Sequence, residues 1–278
     1  MTVINYNRSV LDALPCIVPT ESIPNDVDPA AVATPFADKL VTGSLDVEDF
    51  VSHALWRDSF ALTSSLRTFY SGPTVSALWK KLAEVRQATA FQVTAACAVL
   101  RRTPNEVCWI ELPFTFETSD SPPTFCQGLL SLVHNPDGSW KIWVLRTILD
   151  QLLGCNNVDV LEPDNEATEL NGVHSMNGYH DEPQHYDCVV VGAGQAGLCA
   201  AGRLKALGIS YALIDRNHEV GDNWMLRYDS ARLHTTREYA HFPFDRTFTS
   251  EYQEFLDKYD LARGYKTWTS KFRIVSSP

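Results

Sequence analysis

Residues 186–217 read YDCVVVGAGQAGLCAAGRLKALGISYALIDRN, and this stretch decides the fold of the C-terminal part of the chain. The run over 186–191, which is apolar except for Asp187, predicts a parallel β-strand that is buried on both faces. Apolar residues at helical spacing then predict a helix that ends at Gly208, and a second strand over 210–214 follows it. A strand, a helix and a second strand in this order predict a βαβ unit of the Rossmann type.

The first strand and the helix are joined by GAGQAG at 192–197, which has the glycine spacing of dinucleotide-binding turns. Gly192 permits the tight turn, Gly194 lets the backbone approach a diphosphate, and Gly197 lets the helix pack closely on the strand. The N-terminus of the helix offers free N–H groups and a partial positive charge to the same diphosphate. The alternative is a glycine-rich turn without a ligand, which the surrounding strand and helix disfavour.

Asp215 ends the second strand and completes this pattern. A carboxylate at this position accepts hydrogen bonds from ribose hydroxyls. It favours a ribose without a 2′-phosphate, and therefore FAD or NAD over NADP. The sequence thus predicts a dinucleotide site, and the residues that follow it distinguish between these cofactors.

Three short segments after Asp215 carry a more specific pattern: VGDNW at 220–224, RYD at 227–229 and LHT at 233–235. This pattern resembles the second flavin-contacting stretch of the flavin-containing monooxygenases, a group B flavoprotein family. The resemblance is strongest to fungal members that carry a cone-like domain ahead of the flavin domain, and it implies FAD as the cofactor. The FAD-contacting residues that it implies, with His234 on the isoalloxazine side, are Gly192, Ala193, Gly194, Gln195, Gly197, Asp215, Arg216, Trp224, Arg227 and His234.

Two of these residues also have structural interpretations. Trp224 can be a core aromatic. Arg227 can pair with Asp222 or Asp229 at the surface, where such a pair contributes about 0–1 kcal/mol. No residue is identified as catalytic from the sequence.

Members of the resembled family continue with parts that this chain lacks, namely a second glycine-rich βαβ unit for NADPH and a strand that closes the flavin domain. Residues 250–260 predict a short helix, and 268–276 resemble the strand that enters the family's intervening sheet. The flavin domain over 186–278 is therefore expected to be truncated, with an open edge where a partner or a second copy can pair. Activity is then expected to be impaired, or to depend on NADPH supplied through a partner, with a small secondary-metabolite intermediate as substrate.

Residues 1–150 predict a separate domain. Helices are expected over 29–41, from Asp46 to about Phe60, and over 75–85. Strands are expected over 89–101, 106–118, 124–134 and 139–150. Helices followed by a long antiparallel sheet that curls around them resemble the cone-shaped fold of the nuclear transport factor two and SnoaL-like families.

The segment WRDSFALTSSLRTFY at 56–70 also resembles the N-terminal domains of the fungal monooxygenases. Taken together, the expected fold class is an α+β cone-like N-terminal domain followed by an incomplete α/β Rossmann-type FAD-binding domain.

A cone can enclose a pocket, and its candidate polar residues are His53, Asp58 and Tyr70. They imply an alternative function, a non-redox ligand-binding or isomerase/cyclase module. The favoured interpretation is structural, with His53 and Asp58 on solvated helix faces and Tyr70 in the core.

Residues 151–185 carry seven acidic residues, no Lys or Arg, and few large apolar side chains. Such a composition does not offset the entropy of ordering, so an acidic linker is predicted between the two domains. His174, His180 and His185 lie in this linker with Asp181 and Glu182, but their spacing fits no zinc pattern and no metal site is predicted.

The net charge of −11 argues against a nucleic-acid partner and against an anionic membrane surface. No apolar run approaches the ~20 residues that span a bilayer, and the N-terminus lacks the pattern of a secretory signal. Seven cysteines without a repeated spacing are expected to be reduced, mostly buried thiols of a cytoplasmic protein.

Overall fold

The computed structural model of the chain describes residues 19, 21–104, 107–163 and 185–274. By their internal contacts, the residues form two compact units, Met1–Gly154 and Cys155–Pro278. Among the described residues, none of the helices has the length and apolar content that crossing a membrane requires.

The first unit contains two α-helices and seven strands. In chain order they are α1 (Pro29–Thr42), β1 (Phe50–Ser59), β2 (Leu66–Tyr70), α2 (Gly72–Val85), β3 (Ala88–Val93), β4 (Val99–Arg102), β5 (Cys108–Thr118), β6 (Thr124–His134) and β7 (Trp140–Leu152). The strands form one sheet in the order β2-β1-β7-β6-β5-β3, and β4 also pairs with β5. Both helices contribute buried residues to the core on this sheet, which confirms the predicted α+β class and the cone-like arrangement.

Helix α1 begins and ends where local chemistry predicts. The Asp28 carboxylate accepts a hydrogen bond from the Ala30 N–H at 2.9 Å, which is an N-cap. Gly43 follows the helix with a φ of +66°, a left-handed conformation that favours glycine. The residues that α1 buries recur at helical spacing and are Ala33, Phe36, Ala37 and Leu40.

The predicted helix from Asp46 onward is wrong, because after a single 3₁₀ turn the chain enters strand β1. At the start of β1, Phe50 and Val51 are both buried, and the register with β7 shifts between Phe50 and Leu55. The three buried residues Phe50, Val51 and Ala54 therefore have the spacing that is typical of one face of a helix, although they lie in a strand. From there, alternate residues of the strand face the core, namely Ala54, Trp56 and Asp58.

Three other features of the sheet differ from the prediction. Strand β1 runs parallel to β7, so the sheet is mixed rather than antiparallel. Strand β2 was not predicted, and the predicted strand over 89–101 is divided into β3 and β4 by a 3₁₀ turn, Ala95–Cys97. Strands β5, β6 and β7 lie close to the predicted ranges, and between β6 and β7 the Gly138 N–H closes a turn on the Asn135 carbonyl at 2.9 Å.

The space between the helices and the sheet is filled by aromatic rings. Ring centroids lie 5.0–6.4 Å apart within a cluster of Trp56, Phe69, Trp79, Phe91, Phe114 and Phe116. Gly128 in β6 is required by this packing, because a Cβ there would lie 2.1 Å from the Phe114 ring. The inside of the cone is therefore a packed aromatic core where these rings lie.

The second unit contains β8 (Cys188–Val191), α3 (Gln195–Ala206), β9 (Tyr211–Ile214), α4 (Asp222–Met225) and α5 (Lys258–Lys271). Strands β8 and β9 pair in parallel, with Val191 opposite Ile214. Helix α3 connects them, and Gly208 follows it with a φ of +73°. The predicted βαβ unit is therefore confirmed.

Strand β8 is not buried on both faces as predicted. The side chains of Val189, Val191 and Ile214 are 58%, 80% and 52% exposed. The alternate residues Tyr211 and Leu213 pack against the core of this unit. Paired residues of parallel strands share a face, so one face of the two-stranded sheet is covered and the other is open.

The predicted elements near the C-terminal end are also wrong, because 258–271 form one helix, α5, in place of a short helix over 250–260 and a strand over 268–276. The Asp257 carboxylate caps this helix by accepting the N–H groups of Tyr259 and Asp260 at 2.9 Å. Large buried side chains recur at helical spacing along this helix and at the residue that follows it, namely Leu261, Tyr265, Trp268 and Phe272. The segment forms a helix because a helix places these four side chains on one buried face.

Candidate functional site

The turn between β8 and α3 depends on two glycines that lie close together. Gly192 has a φ of +101°, and its N–H donates to the Ile214 carbonyl at 2.7 Å. Gly197 lies directly beneath the turn, since a Cβ on it would be 1.8 Å from the Gly192 carbonyl oxygen. No side chain can replace hydrogen at Gly197 unless the turn moves.

Gly194 differs from these two glycines. It is the N-cap residue of α3, with a φ of −80° and a ψ of −177° that other residues adopt readily. Among the described residues, a Cβ on it would have one non-neighbouring atom within 4 Å, the Asn223 Nδ2 at 3.5 Å. The absence of a side chain at Gly194 therefore leaves open space above the helix N-terminus.

Helix α3 presents its N-terminus to that space without a side-chain cap. The first-turn N–H groups of a helix lack partners within the helix, and they carry about half a positive charge. An open, uncapped N-terminus of a 12-residue helix after a glycine turn is therefore suited to an anion such as a diphosphate.

Asp215 lies beside the same turn. One carboxylate oxygen accepts the Ala193 N–H at 2.6 Å, and the other accepts the Asn217 N–H at 2.7 Å. The hydrogen bonds from Asn217 and Ala193 lower the pKa of the Asp215 carboxyl below its ordinary value. Asp215 is consequently ionised at neutral pH and can accept hydrogen bonds from hydroxyl groups.

A cleft of about 420 Å³ opens between the ends of β8 and β9. Its walls combine apolar side chains, a glycine and two opposite charges, and its lining residues are Val191, Gly192, Ile214, Asp215 and Arg216. The structure therefore brings six of the predicted contact residues to one place, the carboxyl end of the two strands: Gly192, Ala193, Gly194, Gly197, Asp215 and Arg216. This is the edge at which α/β sheets bind their ligands.

The remaining predicted contacts are arranged as follows. The Gln195 side chain donates to the Ala240 carbonyl at 3.4 Å. Trp224 is half-buried, donates from its indole N–H to the Tyr265 hydroxyl at 3.1 Å, and carries the Arg227 guanidinium 4.7 Å above its ring. His234 is exposed.

The structural interpretations of Trp224 as a core aromatic and of Arg227 as a surface ion-pair partner do not describe these two residues completely. Trp224 does pack against the core of the second unit, but one of its faces carries Arg227. The two proposed acidic partners of Arg227 are engaged elsewhere: Asp229 pairs with Lys258 at 2.9 Å, and Asp222 accepts the Glu219 N–H at 3.0 Å.

The three candidate residues of the cone do not form a site. The structural interpretation predicted for them is wrong, because His53 and Asp58 lie in strand β1 rather than on helix faces and Tyr70 is 47% exposed. Tyr70 pairs with Leu55, whereas Asp58 points to the opposite, buried face. Burial lowers the pKa of His53.

Asp58 is fully buried, and hydrogen bonds use both of its carboxylate oxygens. It accepts the Thr63 N–H at 2.9 Å, the Thr63 hydroxyl at 2.6 Å, the Thr147 hydroxyl at 2.5 Å and the Leu62 N–H at 3.2 Å. The Thr147 hydroxyl in turn accepts the Trp56 indole N–H at 2.9 Å. A carboxylate saturated in this way serves structure and is not free to act as a general base.

The first unit also has an outer cleft of about 510 Å³ beside α1. Its walls are mainly apolar, and two of its lining residues, Lys39 and Asp49, form an ion pair. Because these two charges neutralise each other, the described lining residues offer a ligand no unpaired charge.

The described residues contain no group of three or more His, Cys, Asp or Glu side chains that could hold a metal ion. In the histidine tract of the predicted linker, His174, His180, Asp181 and Glu182 lie outside the described residues.

None of the six cysteines in the described part forms a disulfide, and Cys97 and Cys155 are exposed. Only Cys108 and Cys126 are buried, so the prediction of mostly buried thiols is wrong.

Sequence reasoning missed one residue of this site, Asn223, whose side chain faces Gly194 across the turn. The two residues lie far apart in sequence. In the segment that contains Asn223, the family resemblance implies Trp224 as the contact residue. Only the folded structure brings the Asn223 amide to the N-terminus of α3.

These residues fit the adenosine and diphosphate part of FAD. The space beside Gly194 and the uncapped helix N-terminus suit the diphosphate, and the ionised Asp215 suits the ribose hydroxyls. The described residues place no acidic side chain within 4 Å of a Cβ on Gly194, where a carboxylate would repel phosphate.

No protein-family model matches the chain. The chain is 37% identical over 89 residues to an uncharacterized oxidoreductase, CzcO, from Bacillus subtilis, covering 32% of this chain and 26% of that protein. It is 30% identical over 88 residues to the indole-3-pyruvate monooxygenase YUCCA8 of Oryza sativa subsp. indica, covering 31% of this chain and 21% of that protein. The chain thus spans about a quarter of the length of these curated relatives.

Among solved structures, the chain resembles nuclear transport factor 2 from Cryptosporidium parvum, at 11% identity and a TM-score of 0.33, covering 46% of this chain and 99% of that one. It also resembles a putative ketosteroid isomerase from Parabacteroides distasonis, at 16% identity and a TM-score of 0.31, covering 45% of this chain and 89% of that one. At these TM-scores the likeness carries no argument about function. The chain is therefore similar in part to oxidoreductases and monooxygenases by sequence, and its two units have the folds described above.

Proposed function

We propose that the chain is an FAD-binding, monooxygenase-like oxidoreductase whose second unit holds the cofactor at the β8–α3 turn. The observation that carries the proposal is the open space at Gly194 in front of the uncapped N-terminus of α3, with Asp215 beside it. Partial similarity to proteins named as an oxidoreductase and a monooxygenase supports the redox class. The resemblance to fungal monooxygenases supports a secondary-metabolite intermediate as substrate.

Bound FAD would supply the electron transfer and the oxygen activation that a monooxygenase requires. The residues of the chain would bind and orient it. The N–H groups at the start of α3 would hold the diphosphate, and Asp215 would accept the ribose hydroxyls. Trp224, whose indole donates to the Tyr265 hydroxyl, carries the Arg227 guanidinium over its ring, and this pair would lie along the flavin side of the cofactor.

Reduction of the cofactor by a partner is part of the proposal. Its support is local, because Asp215 disfavours the 2′-phosphate of NADPH at the βαβ unit formed by β8, α3 and β9. Val189 is 58% exposed on the open side of the sheet, which supports a partner protein or second copy there, because parallel strands are ordinarily covered on both faces. Val191 and Ile214, on the same side, line the cleft assigned to the cofactor.

The alternative, a ligand-binding or isomerase module in the cone, lacks a supporting observation. Aromatic rings occupy the interior where they cluster, and Asp58 is saturated with hydrogen bonds. The redox proposal is therefore the better supported of the two.

Purified chain incubated with FAD tests this proposal. After gel filtration we expect the absorption of bound flavin at about one FAD per chain, and NADPH oxidation only when a separate flavin reductase is added. A colourless protein after this treatment would refute FAD binding, and rapid NADPH oxidation by the chain alone would refute the need for a partner.

A further inference from the structure

In the second unit, the side chains of Arg237, His241 and Arg246, called the donor cluster below, converge on the carboxylate of Glu238. The Arg237 Nε lies 3.7 Å from one carboxylate oxygen, and the His241 Nε2 lies 3.8 Å from the other. The Arg246 guanidinium donates a hydrogen bond to the oxygen that His241 faces. Within the described part of the chain, both arginines form their ion pairs with Glu238. Two guanidinium charges thus share one carboxylate, and the group keeps a net positive charge.

Two donor atoms of this cluster are buried without a hydrogen-bond partner among the described residues, the Arg237 Nε and the His241 Nε2. The His241 Nδ1 accepts the Phe248 N–H at 3.2 Å, so the neutral ring carries its proton on Nε2, which is then a donor. Separations of 3.7 Å and 3.8 Å from the Glu238 oxygens are too long for hydrogen bonds. The Glu238 carboxylate therefore lies between these donors without satisfying them.

The two buried donors are positioned by other contacts, whereas Glu238 reaches into solvent. The Arg237 guanidinium also donates to the Tyr252 carbonyl at 3.0 Å. The His241 ring stacks on the buried ring of Phe248, with 6.2 Å between their centroids. The Glu238 side chain is 48% exposed and can turn away from the cluster. Preorganised donors that face a displaceable internal carboxylate are suited to an external carboxylate.

The donor cluster lies close to the glycine turn. The Gln195 side chain, at the start of α3, donates to the Ala240 carbonyl at 3.4 Å, and Ala240 directly precedes His241. This contact joins the cluster to the helix whose N-terminus is assigned to the diphosphate. A small ligand held by the cluster would therefore be a neighbour of the cofactor.

We infer that the donor cluster is a carboxylate-binding site, which the chain's own Glu238 fills until the carboxylate of a substrate displaces it. The inference rests on the proposed function and gives its substrate a chemical class, a small molecule with a carboxylate. The nearby acid Asp245 does not neutralise the cluster, because it is ion-paired with Lys271. The ligand carboxylate accepts the hydrogen bonds that the two buried donors lack.

Benzoate and its uncharged analogue benzamide are the probes, since a carboxylate distinguishes them. In calorimetric titrations we expect Glu238→Ala to bind benzoate about tenfold more tightly than the unsubstituted chain, because the internal competitor is gone. We expect benzamide to bind both proteins at least about tenfold more weakly than benzoate. In the unsubstituted chain, benzoate is expected to shift the ¹⁵N NMR signals of Arg237 Nε–H and His241 Nε2–H.

The matched control is Glu251→Ala, which removes the same charge at another exposed position of the second unit. We expect its benzoate affinity to remain within about twofold of the original. Adding Arg246→Ala to Glu238→Ala removes an exposed donor and is expected to weaken benzoate binding about tenfold relative to Glu238→Ala. Circular dichroism and thermal unfolding establish that each variant is folded before titration.

The inference is overturned if Glu238→Ala binds benzoate no more tightly than the unsubstituted chain, or if Glu251→Ala gains as much. Equal binding of benzamide, or unchanged NMR signals of the two buried donors at saturating benzoate, would also overturn it. A titration with FAD separates this result from the proposed function. A chain that binds FAD but no benzoate refutes the carboxylate site alone, and a chain that binds benzoate at the cluster but no FAD refutes the proposed function.

Discussion

Replacing Gly197 with alanine is expected to disrupt the β8–α3 turn and to destabilise the second unit by about 3 kcal/mol or more. The reason is geometric, because the added Cβ would lie 1.8 Å from the Gly192 carbonyl oxygen and 3.4 Å from the Val190 side chain. The carbonyl oxygen belongs to backbone, which cannot rotate away as a side chain does. Thermal unfolding and hydrogen exchange of the amides in β8, α3 and β9 measure this effect.

Gly194→Ala is the matched control for this substitution. It adds the same methyl group three residues earlier, in a backbone conformation that alanine adopts, with 3.5 Å to the nearest non-neighbouring atom. We expect its unfolding temperature to match that of the original chain. An equal unfolding temperature for Gly197→Ala would show that the turn is not packed as described.

Replacing Asp58 with alanine is expected to destabilise the first unit by about 3 kcal/mol or more. The substitution leaves the N–H groups of Leu62 and Thr63 and the hydroxyl of Thr147 without their shared acceptor in a fully buried place. Asp58→Asn retains one acceptor oxygen and is expected to lose about half as much. Urea unfolding followed by tryptophan fluorescence measures both, since five of the seven tryptophans, including the buried Trp56, lie in the first unit.

Asp38→Ala, at an exposed position of α1, serves as the control and is expected to change the unfolding free energy by less than about 0.5 kcal/mol. A stability of Asp58→Ala within that range would contradict the structural role. If Asp58→Ala instead folded normally and gained or lost ligand binding, Asp58 would be part of a site.

The βαβ unit could be predicted from the sequence because its signals are local. The apolar run before Gly192, the helix closed by Gly208 and the acid at Asp215 lie within one short segment. The glycine spacing also predicts which positions of the turn must lack a side chain. At Gly197 this is confirmed, because a Cβ there would collide with the turn. Local chemistry of this kind predicts structure well, since few tertiary contacts compete with it.

The first part of the cone was predicted less well because its periodicity is ambiguous. Phe50, Val51 and Ala54 are all buried in an irregular strand, and the same spacing is typical of a helix. Helix α5 was missed although its signal is present, namely an N-cap at Asp257 and apolar residues at helical spacing through Phe272. In that segment the family resemblance predicts a strand and the apolar periodicity indicates a helix, and the structure has the helix.

The parts of the site that could not be predicted depend on contacts between distant residues. Asn223 reaches Gly194 only because α4 rests on α5, and no spacing in the sequence expresses that contact. Val191 is likewise exposed because, among the described residues, no further layer covers its face of the sheet, and the sequence of the strand does not determine that. An apolar run predicts a strand, but it does not predict what covers it.

Titration of FAD into the original chain and into Gly194→Val, followed by flavin fluorescence, tests the central claim most directly. The valine side chain would project into the space in front of α3 that the diphosphate requires, while the backbone conformation at this position tolerates it. The account predicts that the original chain binds one FAD and that folded Gly194→Val, with an unchanged unfolding temperature, binds at least about a hundredfold more weakly. Equal binding by the two proteins, or no binding by the original chain, would contradict it.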